Sequence, residues 1–277
     1  MNQSTSIKRI LAAMLLTLSL AVLGAGLTPP ALAAGGQIDA RSNQSYIYQS
    51  GPSALAYVDQ VGQGNFSRVE QERGSSLSRV RQLGEENYSE IKQYGWTTLQ
   101  NSAEVLQLGR HNKAVVEQNG SGNRAAISQA SAGIWGSSYG EYLNVAEITQ
   151  WGTGNWANID QVGSHKATIV QGSPCQLAIG NRASIYQLVG TGSEASISQM
   201  GSLNSAAISQ MVGGGEASIT QTGYYNNATI VQWAANAPVN ITQSGNRNVA
   251  NVVQNVGLPV EVTQTGHMVT NIVVGTR

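Results

Sequence analysis

The sequence is poor in the residues that usually build and cross-link a globular core. Phenylalanine occurs once and cysteine once in 277 residues, whereas glycine occurs 32 times. A single cysteine, Cys175, excludes a disulfide framework within one chain. The shortage of large apolar side chains argues against an ordinary two-layer domain of this length. The chain must therefore gain its stability in another way.

Charged residues are also few, and their balance excludes several classes of partner. Only 11% of the residues are charged, and without Lys8 and Arg9 the remaining 13 basic and 15 acidic side chains leave a net charge of about −2. We therefore predict no basic surface for nucleic acid. The three histidines His111, His165 and His267 are far apart in predicted turns, so neither a metal site nor any other cofactor site is predicted.

Candidate catalytic carboxylates do not group in the sequence. A polysaccharide-active β-helix enzyme would need converging carboxylates. The candidates are spread over separate units, namely Glu85, Glu86, Glu147, Asp160 and Glu261. Solvated surface charge is the better interpretation, so the chain is predicted not to be an enzyme and to have no small-molecule substrate.

The first 33 residues have the order of charges typical of a secretory signal. Lys8 and Arg9 precede an apolar stretch over residues 10–23, and residues 31–33 (ALA) form a small-residue cleavage site. A membrane anchor is the alternative interpretation, but the stretch is short and followed by glycines, and no later segment reaches about eighteen apolar residues. We predict a signal peptide at 1–33, a short leader at 34–42, and export.

What the sequence does contain is a short repeat. Nineteen glutamines each follow an Ile or a Val by two residues, and twelve of the eighteen steps between them are eleven residues long. Such self-similarity predicts stacked units, none of which buries its apolar face alone. The glutamines are Gln49, Gln60, Gln71, Gln82, Gln93, Gln107, Gln118, Gln129, Gln150, Gln161, Gln171, Gln187, Gln199, Gln210, Gln221, Gln232, Gln243, Gln254 and Gln264.

One unit reads Q-x-G-x-x-N-x-A-x-I-x-Q, as in residues 107–118 (QLGRHNKAVVEQ). The alternation is that of a strand, so Asn112, Ala114, Val116 and Gln118 share one face. This face is nearly constant along the chain, and we predict that it points inward. A glycine two residues after the glutamine permits a tight turn. The predicted fold is an all-β solenoid of about ten two-strand coils over 43–277, with irregular insertions near 94–104, 130–143 and 172–180.

Stacked inward amides predict ladders of hydrogen bonds that run along the solenoid. Besides the glutamines, asparagines lie six residues before the glutamine in alternate units, namely Asn43, Asn65, Asn87 and Asn112, with extra ones at Asn101 and Asn123, and later Asn155, Asn181, Asn204, Asn226 and Asn248. We expect the alternation to keep its parity through a degenerate strand around Ile134 and Trp135. A simple long loop over 130–143 is the alternative.

Outward residues predict the register of the stack. Strands two units apart should be neighbours, because two units complete one coil, and opposite charges are favourable between such neighbours. The predicted pairs are Glu70/Lys92, Arg68/Glu90, Asp59/Arg81 and Arg79/Glu104. Residues 34–140 hold 18 charged side chains and residues 141–277 hold 10. We therefore expect such pairs to be missing after about Gln161, where the surface becomes more amyloid-like.

Both ends of the repeat region are themselves repeat-like, without a recognisable cap, so open strand edges are predicted there. An open edge can add the strand of a next molecule, and a contact that does not close yields a fibre. A cell-surface spacer or adhesin stalk without fibre growth is the alternative. An ice-binding solenoid would need a regular outward threonine ladder, whereas Ser, Thr, Val, Ala and Asn mix here.

Several units resemble curlin repeats, the building units of curli functional amyloid. Examples are residues 221–232 (QTGYYNNATIVQ), the ASISQ ending at Gln199, and residues 240–243 (NITQ). The resemblance covers about 43–265. It implies export through the periplasm, an outer-membrane curli secretion channel, the chain itself and other curlin subunits as partners, and extracellular cell-surface fibres for adhesion and biofilm matrix. The A-x-I-x-Q endings look more like the minor, nucleating subunit than the major one, although the chain has about twice as many strands as either.

Overall fold

A computed structural model describes residues 42–131, 144–175, 178–211, 213–233 and 237–274. The predicted signal peptide and nearly all of the predicted leader lie outside these residues. The described residues form nineteen strands and no helix, and every strand pairing is parallel. They therefore include no helix of the length and apolar character that crossing a bilayer requires. The predicted all-β solenoid of about ten coils is confirmed.

The strands alternate between two parallel sheets, which we call sheet I and sheet II. Sheet I contains β1 (Gln44–Gln49), β3 (Phe66–Glu72), β5 (Tyr88–Gly95), β7 (Asn112–Ser121), β9 (Asn144–Thr153), the second halves of β10 (Trp156–Gln171) and β12 (Arg182–Ser202), β14 (Glu216–Tyr224), β16 (Val239–Asn246) and β18 (Val260–Gly266). Sheet II contains β2 (Ser53–Gln63), β4 (Ser75–Glu85), β6 (Asn101–Arg110), β8 (Arg124–Ala130), the first halves of β10 and β12, β13 (Ser205–Gln210), β15 (Asn227–Gln232), β17 (Val249–Gln254) and β19 (Val269–Val274). The short β11 (Ala178–Ile179) pairs with β9 and β12 where the chain passes from sheet I to sheet II.

The register follows the repeat, as predicted. Glu70 is the neighbour of Lys92, and Arg68 that of Glu90. Ion pairs join the predicted partners Arg68–Glu90 at 3.8 Å, Arg79–Glu104 at 3.7 Å and Arg81–Asp59 at 3.4 Å. Lys92 lies beside its predicted partner Glu70 in the register, but its Nζ pairs at 3.0 Å with Glu90 on its own strand.

Ion pairs are not confined to the N-terminal half. The Lys166 Nζ lies 3.1 Å from Glu194 Oε1 on the neighbouring strand. The prediction that complementary pairs are missing after about Gln161 is therefore wrong. The C-terminal half does have fewer charged residues than the N-terminal half. In it, Glu194 has Lys166 on one side and the like-charged Glu216 on the other.

The interior consists of columns of similar side chains, with a few exceptions such as Val239 and Val260, which continue a column of alanines. Ile and Val occupy one column of each sheet, and Ala or Ser occupies another, as at Ile148 and Ala146, which are both fully buried. Burying an isoleucine contributes about 1.5 to 3 kcal/mol. A core of such narrow cross-section closes only because each coil covers its neighbours.

The turns repeat as closely as the strands. The residue before a ladder asparagine adopts a left-handed conformation, with φ of 54° at Glu86 and at His111 and 58° at Tyr225. Two residues earlier in the unit lies a glycine such as Gly84, which has a φ of 130°. A Cβ on Gly84 would collide with the carbonyl oxygen of Gly109 in the next coil, so glycine is required there.

The pairings of the strands on either side of residues 130–143 show whether the asparagines keep their parity. β7 pairs directly with β9, with Gln118 beside Gln150. β8 pairs directly with β10, with Gln129 beside Gln161. Residues 132–143, with the predicted degenerate strand around Ile134 and Trp135, lie outside the described residues, but these pairings place Gln118 and Gln150 in one sheet and Gln129 and Gln161 in the other. The expectation of conserved parity is therefore wrong, and the asparagines change sheet instead.

Candidate assembly surfaces and amide ladders

The glutamines form two continuous columns of side-chain hydrogen bonds. In sheet I, Gln118 Nε2 donates to Gln150 Oε1 at 2.8 Å, although 32 residues separate them. In sheet II, Gln187 Nε2 donates to Gln210 Oε1 at 2.8 Å. The same bond joins every successive pair from Gln49 to Gln264 in sheet I and from Gln60 to Gln254 in sheet II. All donors point the same way, so the ladders are polar.

Nearly all of the glutamines, though not Gln49 or Gln254, also join the two sheets. Gln118 Nε2 donates to the carbonyl oxygen of Ser102 in sheet II at 3.1 Å, and Gln221 Nε2 donates to that of Ser205 at 3.0 Å. Gln118 and Gln221 are fully buried. Because a buried amide without partners costs about 1 to 3 kcal/mol, this double use explains how the interior tolerates so many polar side chains.

The asparagines form a second type of ladder at the turns. Asn87 Oδ1 accepts from the backbone N–H of Asn112 at 3.1 Å, and Asn87 Nδ2 donates to Gly109 O at 2.9 Å. Most of the ladder asparagines bond in this way both to the next asparagine and to the next turn. The predicted asparagines all lie in these columns: Asn65, Asn87 and Asn112 in sheet I, and Asn155, Asn181, Asn204, Asn226 and Asn248 in sheet II.

The two asparagine ladders overlap in the middle of the solenoid. The sheet I ladder continues to Asn144, whose Nδ2 donates to Asn112 at 2.9 Å. The sheet II ladder begins at Asn101, which accepts from Asn123 N–H at 3.0 Å. Asn144 was not predicted, because the irregular spacing after Gln129 hid its position six residues before Gln150. The asparagine ladder therefore lies at the turns from sheet II to sheet I in the N-terminal half. In the C-terminal half it lies at the turns from sheet I to sheet II.

The sheet I ladder ends at a buried histidine. His165 occupies the asparagine position, and its backbone N–H donates to Asn144 Oδ1 at 3.1 Å. Its Nε2 lies 3.0 Å from Val162 O, whereas its Nδ1 is buried without a partner. Burial lowers the pKa of His165, against the opposing effect of the Val162 hydrogen bond. The next residue in this column, Ser193, also has a buried hydroxyl without a partner.

The first and last described coils each have a strand edge that no described strand pairs with. Among the described residues, β1 and β2 pair only with β3 and β4, and β18 and β19 pair only with β16 and β17. Gln49 Nε2 donates to Gln71, while its Oε1 accepts no bond from a described residue. Ile47 belongs to the inward column but is 48% exposed, because no described coil lies on its outer side.

The remaining candidate residues do not converge. Asp160 lies on the outer face of sheet II, and Glu147 and Glu261 lie on that of sheet I. Glu85 and Glu86 lie at a turn and pair with Arg110 and His111. Cys175 is exposed. Within the described ranges, no three His, Cys, Asp or Glu side chains are grouped so that they could hold a metal.

Parallel coils and continuous interior amide ladders define the class of this protein as a polar β-solenoid repeat protein. The family model described as curlin associated repeat matches residues 100–130, which contain β6, β7 and β8 with Gln107, Gln118 and Gln129. The resemblance to curlin repeats is confirmed for residues 100–130, which contain a curlin associated repeat. No curated protein matches the chain.

Proposed function

We propose that this protein assembles into extracellular curli-type fibres, in which the first coil of one copy stacks on the last coil of the next. The observation that carries the proposal is the fit between these coils. With the register of the solenoid extended across the junction, Gln264 meets Gln49, Val262 meets Ile47, and Gly266 meets Gly51. The sheet I glutamine ladder would run on if Gln264 Nε2 exchanged its bond to Thr270 Oγ1 for one to Gln49 Oε1, which accepts no bond from a described residue.

The role in the cell follows from such fibres. A cell-surface fibre of this type would serve adhesion and biofilm matrix, either as a subunit or as a nucleator for other curlin subunits. Residues 1–33 would act as the signal peptide, and an outer-membrane channel would release the chain. The ladder glutamines and asparagines would be the structural residues of the fibre. Polymerisation needs no catalytic group in this proposal.

Fibre formation by the purified protein tests this proposal. We expect growth at micromolar concentration, with a cross-β reflection near 4.8 Å. Ile47→Lys should block growth, because it places a charge in the column that the junction buries. Tyr48→Lys is the matched control, because Tyr48 is 57% exposed and points outward from the same strand. A persistently monomeric wild type would overturn the proposal and favour the spacer or adhesin stalk.

A further inference from the structure

One corner of the solenoid differs from the rest of the surface in its chemistry. It is formed by the turns from sheet I to sheet II at 119–123, 151–155, 200–204, 222–226, 244–248 and 265–268, together with the first outward residue of each sheet II strand; we call it the I-to-II edge. These positions contain no Asp or Glu, although the corresponding turn at 72–74 in an earlier coil, which is not part of this edge, contains Glu72. The opposite corner contains acidic side chains such as Glu85, Glu86 and Glu194.

In the middle of the I-to-II edge, two arginines flank a tryptophan. Arg124, Trp156 and Arg182 are neighbours in three successive coils. The Arg182 guanidinium lies over the indole of Trp156, 4.4 Å from the ring centroid. Arg124 and Arg182 are both exposed, and neither has an ion pair with a described carboxylate.

Glycines keep the surface beside these three side chains open. Gly122 and Gly154 line a groove together with Arg124, Trp156 and Arg182. Both glycines occupy the left-handed turn position, with φ of 66° and 67°. In other coils this position carries large side chains such as Tyr225. No atom lies within 4 Å of a Cβ built on Gly154, so a ligand could approach the backbone there.

A second groove lies further along the same edge. It is lined by Tyr224, Tyr225, Arg247 and His267 among others, and the two tyrosines are 54% and 56% exposed. Basic and aromatic side chains therefore recur along the stacking axis, which suits a linear ligand rather than a compact one.

We propose that the I-to-II edge binds a linear acidic polysaccharide, with Arg124 and Arg182 as the principal carboxylate-binding residues. Guanidinium groups match carboxylates in shape and charge, and the indole offers an apolar face to a sugar ring. The two arginines are two coils apart, about 10 Å, so they would contact charges on separate sugar units. Nucleic acid suits the edge less well, because the chain has no net positive charge.

Binding of polygalacturonate to the freshly dissolved, monomeric protein tests this inference. The double variant Arg124→Gln/Arg182→Gln should weaken binding roughly tenfold or more, as expected for the loss of charge-assisted hydrogen bonds. The control Arg68→Gln/Arg79→Gln removes the same charge from exposed arginines that pair with carboxylates, and it should change binding less than about twofold. Unchanged circular dichroism would show that each variant is folded.

Three outcomes would overturn the proposal: no binding of polygalacturonate, equal losses in the two double variants, or equally tight binding of neutral dextran. Double-stranded DNA that competes fully for the same arginines would also reject it in favour of a nucleic-acid surface. Because the monomer is measured, the result does not depend on fibre growth. A chain that binds polygalacturonate but never polymerises would contradict only the proposed assembly.

Discussion

Asn144 lies directly above Asn112 in sheet I, and its side-chain amide donates to Asn112 Oδ1 at 2.9 Å although 32 residues separate them. This bond closes the stack across the longest irregular stretch of the repeat. It also belongs to the coils in which both asparagine ladders are present, since Asn123 and Asn155 are bonded in sheet II. The two halves of the solenoid therefore meet in coils that have an asparagine hydrogen bond at the turns on both sides.

Loss of an interior amide should destabilise the fold far more than loss of an outward hydroxyl. Gln210→Ala removes the acceptor of Gln187 and the donor to Gln232, so we expect a cost of about 1 to 3 kcal/mol. Urea unfolding measures this cost. Ser209→Ala is the control, because Ser209 is the preceding residue and points outward. Equal shifts of the two midpoints would contradict the assignment of faces.

Most of the fold was predictable because the two periods of the sequence, two residues within a strand and eleven residues between units, are short. A strand period of two places Ile and Gln on one face, and the eleven-residue unit gives the register, as the pair Asp59 and Arg81 shows. The switch of the asparagine ladder was not predictable. Spacing alone does not show which strands pair on either side of a long insertion, and Asn144 is recognised only once β7 and β9 are seen to pair.

The serines inside the first coils should be replaceable with a gain in stability. Ser67 and Ser89 have buried hydroxyls without partners, and the same column continues with Ala114 and Ala146. Ser67→Ala and Ser89→Ala should each stabilise the fold by about 1 kcal/mol. Ser78→Ala should instead destabilise it, because Ser78 Oγ donates to Gln93 Oε1 at 2.8 Å. Thermal unfolding of the three variants compares them, and a loss in all three would contradict the prediction.

The neighbouring glutamates of sheet I should make stability depend on salt. Glu194 and Glu216 are directly paired in register, and like charges at such positions are unfavourable by roughly 0.2 to 1 kcal/mol. Glu216→Gln should therefore raise the urea midpoint at low salt. The gain should shrink at about 1 M salt, where the Debye length is about 3 Å. A gain that does not change with salt would exclude repulsion as its cause.

His165 should make the fold sensitive to mild acid. Burial lowers its pKa in the folded chain, whereas an unfolded histidine titrates near about 6.5. Below that pH the unfolded chain binds a proton that the folded chain does not, so stability is complete above about 6.5 and falls as the pH decreases. His165→Asn should abolish this loss and supply an amide to the asparagine ladder. Urea midpoints at pH 7.5 and pH 5 measure the slope.

Asp160 provides a control, because its protonation should change the stability in acid in the opposite direction to that of His165. Burial raises the pKa of Asp160, against the opposing hydrogen bond from Asn158. The folded chain therefore holds this proton more tightly than the unfolded chain, which adds stability as the pH falls. Asp160→Asn removes that compensation, so acid should destabilise this variant more than the wild type. If His165→Asn kept the full acid sensitivity of the wild type, a group other than His165 would have to be its source.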